Sequence, residues 1–562
     1  MANAGPGAPS GPCLFARLGI STLSVLPVLI AGSTSYESLM RIQALYGMMF
    51  IVYLYAVFHE MYSYQKVVYL CHNSEVDIAN MPSRASLLPM PTGGMCRARK
   101  HFSSSLALKI LTILTPSFIH PLWQEEGTST LAQALTPAHH DTAYLDGLRG
   151  LVAFVIYVFH YLVPFDRTIL LGYIPGSRNS SILGLPILGL MRSGTAVVLI
   201  FFVISGYVLS ISASRVLHNR DWDGVLRPLS SATLKRGVRL FIPAIATIFA
   251  IMLLVSTGLY ADRATIARLP AHWPPLGPVR QTSFGAQIVD WLQFVVVRLT
   301  NPWQWYGELF SEPEPSYYGA HLWTIQNEFH CSMGVGSEGR GALWAATIAY
   351  SGFWGRWDVA LFLTGMAFAY TDVQSATTAS KTEEAEPITV KPNWLKASKY
   401  SRYLVKTGYI TALLAGLWLA SFPERNANKA VGFGLLAAIH PRAQPWNAIG
   451  AALIVWSVRR VNVIRSFLTT APLQYLGQIS LAFYIVHEPI LQVFGWLYAN
   501  MLRKYFITAG VVLGFHEQVN AQIGIWLAFI TLTPVVFIAS DYVWRGLDKP
   551  SMVLVRAIGK RV

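Results

Sequence analysis

The chain has 562 residues, 53% of them hydrophobic and 13% charged, with a formal net charge of +15 and 17 Trp, 26 Tyr and 28 Phe. A soluble domain carries about 25% charged residues, so this composition excludes an ordinary soluble globule. It predicts an all-α, polytopic membrane protein with aromatic rings at the bilayer interfaces. The positive balance does not imply a nucleic-acid partner, because the basic residues lie between apolar segments in the manner of positive-inside orientation. Cys13, Cys71, Cys96 and Cys331 lack paired spacing, so no metal site or disulfide framework is expected.

Residues 1–140 read as a poorly defined N-terminal region with possible membrane-associated segments. Leu18–Ala31 and Leu45–Phe58 are apolar but shorter than the roughly 20 residues that span a bilayer. The first follows Arg17 without a strongly basic start, which fits an uncleaved anchor or a surface-packed segment better than a secretory signal. Leu106–Trp123 holds Lys109, Pro116 and Pro121 and reads as interfacial or re-entrant.

From 141 to 550 the pattern predicts one transmembrane domain. About ten membrane helices are expected near 148–165, 195–213, 240–259, 321–335, 342–355, 357–371, 408–422, 446–458, 478–499 and 523–543. The fourth and fifth are separated only by GSEGRG, and no internal repeat is evident. Basic clusters follow the second helix (Arg215, Arg220, Arg227, Lys235, Arg236, Arg239), the sixth (Lys381 to Lys406), the eighth (Arg459, Arg460, Arg465) and the tenth (Arg545 to Arg561). With ten spans they share one side, which is then cytosolic. The sequon at Asn179 falls on the opposite side. Residues 260–320, with HWPPLGP and NPWQWYG, are expected as an external loop, a folded cap. Residues 372–407, with SATTASKTEEAEPITVKP, are expected as a flexible cytosolic linker.

Charge inside an apolar helix is costly and usually faces a partner or a cavity. In LDGLRGLVAFVIYVFHY (145–161), Arg149 and His160 are eleven residues apart. At 100° per residue they differ by about 20° and share a face, roughly 16 Å apart along the axis, with Asp146 nearly aligned. A snorkelling arginine and a helix-satisfied histidine fit the same spacing. In FFVISGYVLS, Ser205 and Gly206 favour close helix packing. In LKRGVRLFIP, Arg236 and Arg239 share a face. They serve as a positive-inside anchor or, with Arg149 at the same membrane face, as a phosphate pocket. HLWTIQNEFHCSM brings Glu328 and His330, and LGQISLAFYIVHEPIL brings His487 and Glu488 ahead of Pro489.

These stretches, in this order over roughly 145–545, resemble the acyltransferase 3 family of membrane-bound O-acyltransferases, and most of all its fungal members. The resemblance implies a ten-helix domain that takes an acyl group, usually acetyl, from cytosolic acyl-CoA to a hydroxyl, or sometimes an amine, of a carbohydrate, lipid or small molecule. It carries the family's arginine–histidine pair onto Arg149 and His160, its paired arginines onto Arg236 and Arg239, its acidic residue onto Glu328 and its late histidine onto His487. Fungal members read close to LWTIPVEF, whereas here Gln326 and Asn327 stand before the acidic residue and GVGSEGRG interrupts the helix after Met333.

The mechanism expected from both lines has Arg149, Arg236 and Arg239 holding the donor's phosphates. His160, aided by Glu328 and His487, acts as the base on the acceptor hydroxyl. Transfer through an acyl-histidine stays open. No metal and no tightly bound cofactor are expected; the partners are the bilayer, acyl-CoA and a hydroxylated acceptor. The location is multi-pass in an endomembrane or the plasma membrane. A transporter using the same ionisable residues and a degenerate, non-catalytic member are the rival readings.

Overall fold

The computed structural model describes residues 115–117, 141–166, 168–177, 181–218, 222–260, 269–270, 277–301, 318–333, 341–385, 399–513 and 517–559. The three apolar N-terminal stretches (bar 115–117) and the Asn179 sequon lie outside them. Among the described residues the regular structure is helical, with one isolated bridge between Leu171 and Arg425.

The helices in chain order are α1 (Ala143–Leu162), α2 (Gly194–His218), α3 (Trp222–Thr257), α4 (Phe284–Gln293), α5 (Trp323–Met333), α6 (Gly341–Phe353), α7 (Trp357–Ala385) and α8 (Lys399–Ala420). They continue with α9 (Gly434–Ile439), α10 (Ala443–Val458), α11 (Asn462–Leu468), α12 (Ala471–Ile490), α13 (Trp496–Leu513), α14 (Glu517–Val543) and α15 (Lys549–Gly559). Phe494–Ala528 belongs to one compact unit and the rest of the described chain to another. In the smaller unit Gly524 lies against Leu502 and Arg503, so the two helices pack closely.

A helix occurs at each of the ten expected positions, but five are long and apolar enough to cross a bilayer: Ala143–Leu162, Gly194–Arg215, Lys235–Thr257, Ala471–Gly510 and Glu517–Val555. The others fall short for physical reasons. α5 has 11 residues, α6 has 13 and α10 has 16. The apolar part of α8 is only Val405–Ala420, and α7 carries the polar run TDVQSATTASKTEEA.

That polar run corrects the expected linker at 372–407, because α7 continues to Ala385 and α8 starts at Lys399. Residues 386–398 lie outside the described residues. Ser375, Thr377 and Thr378 donate to the carbonyls of Thr371, Val373 and Gln374, so their hydroxyls are satisfied within the helix. Asp372 anchors the turn, accepting from the Tyr207 hydroxyl (3.0 Å), from Arg459 (2.6 Å) and from Arg460 (2.7 Å). The expected external loop at 260–320 also contains helix: α4 runs on into a π-helical stretch at Phe294–Leu299 and packs on α3.

The core of the larger unit is apolar side chains from α1, α2, α3 and α12, among them Val152, Ile156, Ile200, Val203, Ile248 and Ile485. Glycines set the spacing of two helix pairs. A Cβ on Gly206 would run into the Phe362 carbonyl, and one on Gly365 into the Val203 carbonyl, so α2 and α7 touch backbone to backbone. Gly150 meets Gly477 in the same way, bringing α1 onto α12. Gly206→Ala is expected to lower stability by about 1–3 kcal/mol, the usual cost of overpacking. Thermal unfolding of the purified variant in detergent checks this, and an unchanged melting temperature contradicts the close approach.

Candidate active site

The α1–α12 contact carries Arg149 to the lip of a cavity. Its Nε donates to Ser480 Oγ (2.9 Å), its Nη2 donates to the Gly477 carbonyl (3.2 Å), and it pairs with Asp146 one turn back (3.0 Å). Arg236 and Arg239 reach the same cavity from α3. Arg236 pairs with Glu328, which also accepts from the Ser205 hydroxyl, and Arg239 Nε donates to Asp548 Oδ1 (3.3 Å). Lys235 lines the cavity too. The volume is about 480 Å³, and Phe201, Phe202, Ile204, Leu240, Ile325 and Leu481 are among its apolar lining. The lining thus combines three arginines, each paired with a carboxylate, and Lys235 with apolar walls.

Thr324 and Tyr484 also line this cavity. Thr324 donates to the Tyr484 hydroxyl (2.7 Å), which donates in turn to the His321 carbonyl. Beyond that chain stand three imidazoles. The ring centres of His160 and His487 are 5.1 Å apart, those of His321 and His487 5.3 Å, and those of His160 and His321 6.5 Å. A Glu488 carboxylate oxygen lies against His321 Nδ1, and the carboxylate accepts from the His321 backbone N–H (3.3 Å). His487 Nδ1 lies 3.1 Å from the Phe483 carbonyl, which can only accept, so a hydrogen bond there takes its proton from Nδ1. Pro489 has no N–H for the helix ladder, and a π-helical stretch follows at Leu491–Gly495. Such a widened turn is common at functional sites.

Two of the expected site residues, His160 and His487, therefore meet, and the three arginines line one cavity. Glu328 is the departure. It faces Arg236 and Ser205 in the cavity, while the carboxylate that meets an imidazole is Glu488. The reason is packing: α5 turns Glu328 toward α3, and α12 turns Glu488 toward the start of α5. His321 was missed as a site residue, although it opens the quoted HLWTIQNEF string; a histidine one turn ahead of a Trp-Thr pair in an apolar segment was the available signal. His330 is buried elsewhere along α5. The unusual amides find partners: Gln326 donates to the Asn301 carbonyl (3.2 Å) and Asn327 to Asp358 (3.0 Å).

No protein-family model matches the chain, and no solved structure matches it. Three curated proteins from fungi are similar over most of their own length. Acyltransferase R4 of Phoma sp. is 27% identical over 462 residues, covering 73% of this chain and 94% of that protein. O-acetyltransferase PaAT-1 of Phomopsis amygdali is 26% identical over 449 residues, covering 74% and 83%. Acyltransferase clz18 of Cochliobolus lunatus is 27% identical over 408 residues, covering 63% and 83%. These relatives support reading the chain as an enzyme, an acyltransferase that moves groups other than aminoacyl groups.

Proposed function

We propose that this acyltransferase is a multi-pass membrane enzyme of the acyltransferase 3 type. It moves an acyl group, acetyl first of all, from acyl-CoA to a hydroxyl of a carbohydrate, lipid or small molecule. The observation that carries the reading is that one cavity is lined by Arg149, Arg236 and Arg239 and also by Tyr484, whose hydroxyl is hydrogen-bonded to the His321 backbone of the imidazole cluster.

Acyl-CoA is a polyanion with a long neutral arm, and that asymmetry matches the cavity. Guanidinium forks hold the phosphates by charge-assisted hydrogen bonds. The arm runs along the apolar walls and brings the thioester to the imidazoles. His160 removes the proton from the acceptor hydroxyl, the oxygen attacks the thioester carbon, the carbon–sulfur bond breaks, and CoA leaves as its thiol after taking a proton. Glu488, beside His321, stabilises the positive charge that the cluster gains when it takes a proton. Glu328 balances Arg236 in the donor cavity. The lipid bilayer is the surrounding partner through the five long apolar helices.

Isolated membranes containing the protein, given radiolabelled acetyl-CoA and an extract of its host, are expected to transfer label to an acceptor. Membranes lacking the protein are expected to transfer none. Movement of a solute without label transfer, or no transfer at all, contradicts the reading. Comparing metabolites of a deletion strain by mass spectrometry then identifies the acceptor.

A further inference from the structure

α4 and its π-helical continuation have two unlike faces. Inward, Gln287 is 1% exposed and donates to the Tyr318 hydroxyl (2.6 Å), which donates to Asp290 Oδ2 (2.7 Å). Phe294 packs on the Tyr318 ring (5.6 Å). Outward, Val289, Leu292 and Val296 are 63%, 46% and 62% exposed. Their spacing of three and four residues makes one apolar stripe. An apolar stripe outside with polar groups paired inside is the arrangement of a helix in lipid, the inverse of a cap in water.

Depth separates the two settings. Trp291 packs on Phe249 of α3, ring centres 5.2 Å apart. Phe249 is ten residues beyond Arg239, about 15 Å along the axis, and eight residues short of Thr257, about 12 Å. His160 is eleven residues beyond Arg149, about 16 Å. Trp291 therefore meets α3 near the level of the imidazoles, well inside the apolar span Lys235–Thr257 rather than above its end. At that level α3 also turns apolar side chains outward, Phe249 and Leu253, 42% and 40% exposed. The outer stripe of α4 continues this face. The segment has 10 α-helical and 6 π-helical residues, fewer than the roughly 20 needed to cross a bilayer.

We infer that Phe284–Leu299 is a half-span sunk into the hydrocarbon layer from the side opposite the arginines, with lipid acyl chains covering Val289, Leu292 and Val296. This rests on the membrane reading proposed above. Its inner face holds Tyr318, three residues before His321, so the half-span also braces the segment that carries that imidazole from the lipid side.

Nitroxide side chains report the surroundings directly. Single cysteines are introduced as Val289→Cys, Val296→Cys, Leu253→Cys and Ile182→Cys in a background with the four native cysteines replaced by Ser, and the labelled proteins are reconstituted in phosphatidylcholine vesicles. Two stripe positions are used so that one poorly folding variant does not decide the result. Oxygen, which concentrates in lipid, is expected to relax labels at 253, 289 and 296 more than a water-soluble nickel chelate does. The order is expected to reverse at 182, which is 66% exposed in the loop before α2. Labels at 289 and 296 that meet the nickel chelate while 253 meets oxygen overturn the half-span and leave the membrane reading intact. Labels at 289 and 296 shielded from both reagents overturn it in favour of a protein partner. Nickel access at 253 overturns the membrane reading itself.

Discussion

Replacing His160 with Ala abolishes acyl transfer while the protein stays inserted and at normal abundance. General bases contribute about 10²–10⁴-fold, so the residual rate should lie at or below about a hundredth of the original. His160 stands on the face of α1 that carries Arg149 and is one of three imidazoles with ring centres 5.1–6.5 Å apart. Neither neighbour occupies its position, so neither substitutes for it. Retention of more than about a tenth of the rate contradicts the base role and moves it to His321 or His487. Abundance is read in the same membranes by immunoblot, which separates lost chemistry from lost protein.

The second large effect belongs to the donor end. Changing Arg236 and Arg239 together to Lys preserves the charge, and with it membrane insertion and the pairings with Glu328 and Asp548. It removes the planar fork that matches phosphate bidentately. Hydrogen bonds to charged groups are worth about 1.5–3 kcal/mol each, so KM for acyl-CoA should rise about tenfold or more. KM for the acceptor should change little, since the proposed reaction places the acceptor at the imidazoles. If the two arginines only set orientation, the Lys pair keeps normal kinetics at all donor concentrations. That outcome would return them to the topology signal and leave Arg149 as the donor contact.

The sequence made part of this site legible because two of its cues are local. Eleven-residue spacing puts Arg149 and His160 on one face of α1 whatever surrounds the helix, and an ionisable pair such as His487–Glu488 inside an apolar helix draws attention by its cost alone. What stayed hidden depends on contacts between helices. Glu328 and Glu488 look equally suited to an imidazole until α3, α5 and α12 are packed. Only then does Glu328 fall beside Arg236 and Glu488 beside His321. Helix extents were misjudged where polarity was taken for disorder. The 372–385 stretch is held by its own Ser and Thr back-bonds and by the Asp372 cluster of Tyr207, Arg459 and Arg460. The helix within the expected 260–320 loop was not legible either, because Trp and Pro suggest a loop, and its packing on α3 through the Phe249–Trp291 contact is a contact between helices.

The central claim is a division of labour, with arginines binding the donor and imidazoles carrying out the transfer. Equilibrium binding of radiolabelled CoA to the purified protein tests it without needing the acceptor. His160→Ala should bind CoA as tightly as the unaltered protein although it transfers nothing, and the Arg236→Lys/Arg239→Lys pair should bind it at least about tenfold more weakly. Equal CoA affinity in all three proteins, or loss of CoA binding on His160→Ala, would contradict the account.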